Sequence, residues 1–216
     1  MASPTRIRND RNMKVSTNIN GVLKMGFNIR PLTSELLDDY LYFFDNVAFA
    51  DHPDWSQCYC IHFHWQSKWD NEPPRDNRDR VIEHINCGII QGYLAYSDGN
   101  VVGWCNANDK KNYAALKYNV TPELWTDNGD KKVKSVVCFI VAPDMRRKGI
   151  STKLLECVCT NAEADGYDFI EGYPLAVKCD IYAAHHGTIA LFQKSDFAIH
   201  KQFENGCVMR KYLVNG

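Results

Sequence analysis

Short apolar segments of this chain alternate with longer segments whose apolar residues recur every three or four positions. The short segments show the alternation or the continuous apolar run of β-strands, and the longer ones show the spacing of amphipathic helices. The pattern predicts strands over residues 27–32, 92–97, 101–107, 133–142, 167–173, 197–203 and 207–213. It predicts one helix that begins after Thr33 or Ser34 and runs to Val47, and others over residues 78–91, 147–164 and 189–194.

The connections between these segments carry turn residues. Asp98-Gly99 lies between two predicted strands and is typical of a hairpin turn. Pro143 ends the strand that starts at residue 133. Residues 109–132 form a long polar connection, a length that is usually functional or mobile. The order of strands and helices indicates an α/β fold.

The composition is that of a globular protein with one domain. The chain has 216 residues, of which 45% are hydrophobic and 24% charged. This length suits a single domain, which we place at residues 27–216. Residues 1–26 are polar and irregular, so we interpret them as a disordered leader, a basic arm or a cloning remnant.

Charge and cysteine content argue against several classes of protein. The formal net charge of -1 gives no global basic field, so we expect no nucleic-acid partner; a basic arm that binds nucleic acid is the minor alternative. No apolar run approaches the roughly 20 residues of a membrane span, so we expect no membrane partner. The nine cysteines are scattered and odd in number, which favours free thiols in a reducing cytoplasm. Both a monomer and a homodimer stay open.

Three cations, Arg146, Arg147 and Lys148, lie at the predicted start of the helix that follows Pro143. Cations are unfavourable at a helix N-terminus, by about 0.3–1 kcal/mol each. A bound pyrophosphate would reverse this balance, because unpaired N–H groups and cations would then converge on it. Gly149 would allow close approach of the backbone. The alternative is a solvated basic helix start, and the residue order excludes a P-loop or a three-glycine dinucleotide fingerprint.

Four segments resemble the GCN5-related N-acetyltransferase (GNAT) superfamily in order and spacing. Residues 146–151, Arg-Arg-Lys-Gly-Ile-Ser, are similar to its Arg/Gln-x-x-Gly-x-Gly/Ala signature, with Ser151 replacing Gly or Ala. Residues 139–143 resemble the family's fourth strand and the proline after it. Residues 190–197 resemble its Leu-Tyr-x-Lys-x-Gly-Phe segment, and residues 208–211 resemble its closing strand.

The resemblance covers residues 27–213 and implies the fold and the activity of that family. The fold would be a mixed, mostly antiparallel sheet of about seven strands, splayed between strands 4 and 5, with helices on both faces. Residues 55–60 and 171–174 are similar to a branch of small bacterial-type members. The implied activity is direct transfer of acetyl from acetyl-CoA, the co-substrate, to an amine of an unidentified small molecule or peptide.

The resemblance also implies the residues that bind the cofactor. The backbone around Val141 would bind the pantetheine arm as an additional strand, and a nearby N–H would polarise the thioester carbonyl. Backbone N–H groups at the helix start would hold the pyrophosphate. The implied set is Ile140, Val141, Ala142, Arg146, Arg147, Lys148, Gly149, Ile150, Ser151, Thr152 and Phe192.

The catalytic residues depart from the family pattern. Phe192 stands where the family often has a Tyr that is thought to protonate the leaving thiolate, and it has no hydroxyl. Because the thiol has a pKa of about 8.5, the thiolate is a tolerable leaving group even when no acid protonates it. Candidates for a base or relay are Glu171, His186 and Asp51; the alternatives are an ordinary strand polar residue for Glu171 and a loop carboxylate for Asp51. An acyl-CoA-binding sensor without turnover therefore stays open.

Residues 55–69 are unusually aromatic for a connection between elements. The family commonly builds its acceptor pocket here, so the resemblance implies an aromatic pocket that suits a hydrophobic or cationic amine. The residues expected to line it are Trp55, Tyr59, His62 and Trp65.

The same segment carries four potential metal ligands at spacing two: Cys58, Cys60, His62 and His64. On a strand, each step of two residues moves about 6–7 Å, so four such residues do not converge on one ion. On a helix, neighbours at this spacing face different directions. We therefore expect no metal.

Overall fold

A mixed sheet of seven strands, in the order β1-β2-β3-β4-β5-β7-β6, forms the centre of the protein. The computed structural model describes residues 26–64, 76–113, 115–116, 128–175 and 182–213. Strands β4 and β5 are parallel, and every other neighbouring pair is antiparallel. The strands are β1 (Asn28–Pro31), β2 (Gly92–Ser97), β3 (Asn100–Asp109), β4 (Val133–Val141), β5 (Phe169–Gly172), β6 (Ala198–Phe203) and β7 (Gly206–Tyr212).

All seven predicted strands are present, which confirms the α/β fold and the mostly antiparallel sheet. The β2–β3 turn shows why the hairpin could be predicted. Asp98 and Gly99 have φ angles of 50° and 80°, the pair of positive values that a type I′ turn requires. Asp and Gly adopt these values at low cost, so the two residues fix the register of the hairpin.

The α-helices whose bounds the structure describes are α1 (Leu37–Tyr42), α2 (Asn77–Asn86), α3 (Ile150–Ala164) and α4 (Ile189–Gln193). The first predicted helix is divided, because a 3-10 turn at Ser34–Leu36 precedes α1 and a π-helical turn at Phe43–Val47 follows it. The helix predicted from residue 147 begins at Ile150 instead. Arg147 and Gly149 have φ angles of 66° and 85°, which are incompatible with an α-helix.

Helices cover both faces of the sheet, as expected. Trp104 packs its ring edge-on against Tyr40 of α1, with centroids 5.0 Å apart. The next position, Gly103, faces Ile150 of α3, whose Cγ2 would lie 2.9 Å from a Cβ placed there. Because successive residues of a strand point to opposite faces, α1 and α3 lie on opposite sides of the sheet.

The longest helix is α3, and it packs by its buried side chains Ile150, Leu154, Leu155 and Val158. Its burial is what the four-residue apolar spacing predicts. In the part of the chain that the structure describes, no helix has both the length and the apolarity to cross a membrane. The proposed leader at residues 1–26 lies, apart from Gly26, outside the described residues.

Candidate functional site

Strands β4 and β5 separate halfway along β4. They pair from Val133–Phe169 to Val136–Gly172, and in the described residues β4 then continues to Val141 paired with β3 alone. A β-bulge lies at the same point: Asn106 pairs with Cys138 and Ala107 with Val136, so Val137 is the extra residue. A bulge bends its strand and leaves one residue outside the ladder. Beyond Val137, β4 therefore offers a sheet edge to an extended ligand.

The loop after β4 presents backbone amides at the start of α3. The first backbone hydrogen bond of the helix joins the Lys153 N–H to the Gly149 carbonyl at 3.1 Å. The N–H groups of Ile150, Ser151 and Thr152 lie ahead of this bond, where a helix has no internal partners for them. No atom of the described residues lies within 4 Å of a Cβ placed on Gly149, so these residues leave the space at the helix start open. An anion can approach these amides closely.

The three cations of this loop differ in their partners. Arg147 and Lys148 are exposed, and the Lys148 amine contacts the Met145 sulfur at 3.3 Å. Arg146 instead makes two hydrogen bonds to the carboxylate of Asp51 and one to the Val141 carbonyl at 3.3 Å. Hydrogen bonds from Arg146 lower the pKa of Asp51. Asp51, predicted as a possible base, is here the partner of a predicted cofactor-binding residue, a role that makes it a weaker proton acceptor.

The expected acceptor-pocket residues that the structure describes have different surroundings. Trp55 stacks on His52 at 4.1 Å, near Asp51. Tyr59 is buried, and its hydroxyl donates to Asp45 at 2.5 Å, so it is a core residue. His62 is exposed and lies beside Phe63, with ring centroids 5.9 Å apart. Trp65 lies outside the described residues.

His186 lies beside the bulge of β4. It belongs to a 3-10 turn, Tyr182–His186, that packs against β4 where β5 has departed. Its ring hydrogen-bonds the backbone of Val137 and packs edge-on against Phe63 at 5.7 Å. Burial, together with the neighbouring His185, lowers the pKa of His186 to about 3. The ring is therefore neutral at pH 7, and its Nδ1 has no hydrogen-bond partner in the part of the chain that the structure describes.

Phe192 lies in α4 and is fully buried. Its ring packs against Phe139 of β4 and Phe197, with centroids 6.2 and 5.2 Å away. Its edge also fills the space beside Gly172, where a Cβ would lie 2.2 Å from the ring. Phe192 therefore contacts both β4 and the end of β5, at the point where the two strands separate.

Glu171 is fully buried in a cluster of opposite charges. Its Oε2 accepts from the Lys110 amine at 2.7 Å and from the Tyr173 hydroxyl at 3.0 Å. Its Oε1 accepts from Arg210 Nη2 at 2.6 Å and Nε at 3.1 Å. Both carboxylate oxygens are engaged and none faces solvent. The geometry therefore does not support our prediction that Glu171 is a base acting through water.

Asn106 is a functional candidate that the sequence reasoning missed. It is fully buried opposite the bulge; its amide donates to the Cys60 carbonyl at 3.2 Å and its oxygen accepts from the Tyr113 hydroxyl at 2.7 Å. Asn106 thus ties the aromatic segment to β3. The available signal was the polar pair Asn106 and Asn108, two residues apart in an apolar strand, a spacing that places both on one face.

No group of three or more metal-ligand side chains converges within the described ranges. The potential ligands at spacing two do not share one environment. His64 is buried, with its Nε2 3.3 Å from the Asn106 amide nitrogen, whereas His62 is exposed. The eight cysteines that the structure describes are free thiols.

A family model and several solved structures match this chain. The family model described as "Acetyltransferase (GNAT) family" matches residues 49–197. A Drosophila melanogaster polyamine N-acetyltransferase has a similar structure, with TM-score 0.53, 12% identity, and coverage of 87% of this chain and 100% of the other. A Thermoplasma acidophilum PaiA N-acetyltransferase in complex with coenzyme A gives TM-score 0.52, 12% identity and coverage of 87% and 99%. A Staphylococcus aureus N-acetyltransferase gives TM-score 0.50 and 16% identity, with coverage of 88% of this chain and 99% of the other. No curated protein matches the sequence.

Proposed function

Because this chain belongs to the GNAT acetyltransferase family and is an acyltransferase, we propose that it transfers acetyl directly from acetyl-CoA to the amine of a small molecule with few charges. One observation carries the proposal: the bulge at Val137 and the departure of β5 coincide, and the start of α3 lies at the end of the same strand. An edge for an extended arm and a cluster of amides for a pyrophosphate are thus aligned along one path.

The cofactor fits this path by its chemistry. The pantetheine arm carries amides that can hydrogen-bond the β4 edge from Ile140 to Ala142 as another strand does. The pyrophosphate would lie on the N–H groups of Ile150, Ser151 and Thr152, with Arg147 and Lys148 as nearby cations. Arg146, held by Asp51, orders the loop from which these amides project. Phe192 backs the path through its contact with Phe139.

His186 is the base in this proposal. The reaction needs a neutral acceptor for the proton that leaves the amine nitrogen as it attacks the thioester carbonyl. The imidazole is neutral at pH 7, and its Nδ1, which has no hydrogen-bond partner among the described residues, is the atom that would accept the proton; burial makes it a weak base. The carbonyl oxygen would be stabilised by a backbone N–H of β4 near Val141. The thiolate leaves without an acid from Phe192, since a thiolate whose conjugate thiol has a pKa of about 8.5 is only a weak base.

The charges beside the gap favour an acceptor that is not a polycation. The nearby carboxylates that the structure describes are paired: Glu171 with Lys110 and Arg210, and Asp51 with Arg146. An aromatic and a neutral histidine side chain, Phe63 and His186, pack against each other beside the gap. A monoamine with an apolar body would meet this surface without leaving unpaired charge.

Cofactor binding can be tested with a variant that preserves the fold. Ser151→Glu adds an anion at the start of α3, which suits the helix itself but repels a pyrophosphate. Thr160→Glu adds the same charge two turns further along the same helix and is the matched control. Acetyl-CoA should raise the Tm of the wild type and of Thr160→Glu, because it binds the native state. Acetyl-CoA should not change the Tm of Ser151→Glu. An equal rise in Tm in all three proteins would place the cofactor elsewhere.

Turnover separates the enzyme from the sensor. Coenzyme A release should be followed by chromatography with phenethylamine, tryptamine, spermidine and a peptide N-terminus as acceptors, and we expect the two aromatic monoamines to be fastest. His186→Gln should lower kcat by about 10²–10⁴-fold and keep the acetyl-CoA shift in Tm. His185→Gln, its neighbour in the same turn, should keep most of the rate. Binding of acetyl-CoA without acetylation of any acceptor would favour the sensor.

A further inference from the structure

A second cleft lies at the end of the sheet opposite the β4–α3 loop. It encloses about 370 Å³ between the end of β1, the end of α2 and the start of β2, and its lining includes Ser34, Ile85, Tyr93, Ala107, Lys134 and Asp165. We name it the Lys134 cleft. Lys134 precedes Val141 by seven residues of β4, which corresponds to about 23 Å at 3.3 Å per residue. The cleft is therefore separate from the acetyl-transfer site.

The cleft contains a largely buried cation, and among the described residues the carboxylates that act on it, Asp165 and Asp109, do so from beyond salt-bridge distance. Lys134 is only 5% exposed, yet its amine forms no hydrogen bond or salt bridge in the described part of the chain. Among the described residues, the Tyr167 ring lies under the amine, with its centroid 5.0 Å away. Burying an ammonium group is costly unless it is paired. An anion that enters the cleft would supply the missing partner.

The charged groups around Lys134 determine which kind of anion can bind in the cleft. Asp165 and Asp109 lie near enough to raise its pKa, Lys132 lowers it, and burial outweighs them so that the pKa is lowered overall. Asp109 is already engaged, since its carboxylate accepts from the Lys111 N–H and pairs with the Lys111 amine at 3.4 Å. Asp165 and the C-terminal end of α2 both present negative potential to the cleft. A doubly charged phosphate would be repelled more strongly than a single carboxylate.

We propose that the Lys134 cleft is a binding site for a small monocarboxylic acid, with the carboxylate on the Lys134 amine. The apolar side chains of Ile85 and Ala107 would contact its short carbon chain. A carboxylate on an ammonium group forms a charge-assisted hydrogen bond, which is among the stronger kinds in proteins. The site does not depend on the acetyl-transfer proposal.

Propionate is the test ligand, and the NMR chemical shifts of the backbone amides are the readout. The ¹⁵N-labelled protein is first saturated with coenzyme A, so that propionate does not enter that site. Titration with sodium propionate should give saturable shifts at the amides of Ala107 and Lys134. Propionamide, which has the same size without the charge, should give none. Wild-type protein that shows no saturable shift, or that binds inorganic phosphate more tightly at the same amides, overturns the proposal.

The variants localise the binding to one amine. Lys134→Met should weaken propionate at least about tenfold, equivalent to about 1.4 kcal/mol, and should have an unchanged or higher Tm because it removes an unpaired buried charge. Lys134→Gln is the second variant, with the same expected loss. Lys131→Met removes an exposed cation that pairs with Asp168, and it should bind propionate as the wild type does. Unaltered binding in both Lys134 variants refutes the proposal.

Discussion

Substituting Glu171 by Gln tests whether this residue is a counterion or a base. The substitution keeps the shape of the side chain and removes its charge. The side chains of Glu171, Lys110 and Arg210 are 0, 4 and 9% exposed, so solvent does not replace the lost partner. The amide group of Gln can accept on one side only, and it would present N–H to either Lys110 or Arg210. Removing one partner of a buried ion pair costs about 3–5 kcal/mol.

The expected loss is large enough to measure by thermal unfolding. At about 2–4 °C per kcal/mol for a domain of this size, the Tm should fall by roughly 6–20 °C. Glu156→Gln is the matched control, because Glu156 pairs with Lys153 at 2.5 Å on the surface, with side chains 50 and 56% exposed. An exposed pair contributes at most about 1 kcal/mol, so this variant should stay within a few degrees of the wild type.

The rate of the folded fraction decides between the two roles. If Glu171 is a counterion, the kcat of folded Glu171→Gln should stay within about tenfold of the wild type at a temperature below its Tm. A Tm within about 2 °C of the wild type together with a hundredfold lower kcat would refute our reasoning and make Glu171 catalytic.

Three further predictions concern the packing and the proposed base. Gly172→Ala should lower stability by about 1–3 kcal/mol, because its Cβ would lie 2.2 Å from the Phe192 ring, and Phe192→Leu should recover part of the loss in urea unfolding; additive losses would contradict this contact. Phe192→Tyr should lower the Tm and raise kcat by less than about tenfold, since its hydroxyl would be buried without a known partner; a larger gain would show that the reaction lacks an acid. The kcat at saturating substrates should show no inflection near about pH 6.5, because the pKa of His186 is lowered to about 3 and the ring is neutral throughout; an inflection there that His186→Gln abolishes would contradict its burial.

The strands and the β4–α3 unit could be predicted from the sequence because their signals are local. Alternation gives the strands, and Asp98-Gly99 supplies a turn whose backbone conformation only a few residues adopt readily. The cations before Gly149 marked the start of α3, although the left-handed conformation of Arg147 moves the first helical residue to Ile150. The bulge at Val137 leaves no such mark, because the strand around it is an unbroken apolar run.

The partners of the site residues could not be predicted, because they are distant in sequence. Asp51 and Arg146 are 95 residues apart, and nothing in either local pattern points to the other. The same holds for Glu171 and Lys110, which are 61 residues apart. Asp51 and Glu171 are residue types that can act as bases, and the sequence shows no more than that. Only the tertiary contacts show that both carboxylates are paired. His186 remained as the candidate whose proton-accepting atom has no partner.

The buried charges also explain where the sheet opens. Ser135 pairs with Glu171 in the register of β4 and β5, and Glu171 pairs with Arg210 of β7, so the cluster spans three adjacent strands. The Tyr173 hydroxyl joins Ser135 at 2.8 Å to Glu171 at 3.0 Å. One pair further, at Val136 and Gly172, the pairing of β4 with β5 ends and the bulge begins. The ion pairs thus connect the strands at the closed end of the gap, and Phe192 packs beside that end. A loss of Glu171 should therefore loosen the strands at the point from which the proposed cofactor path extends.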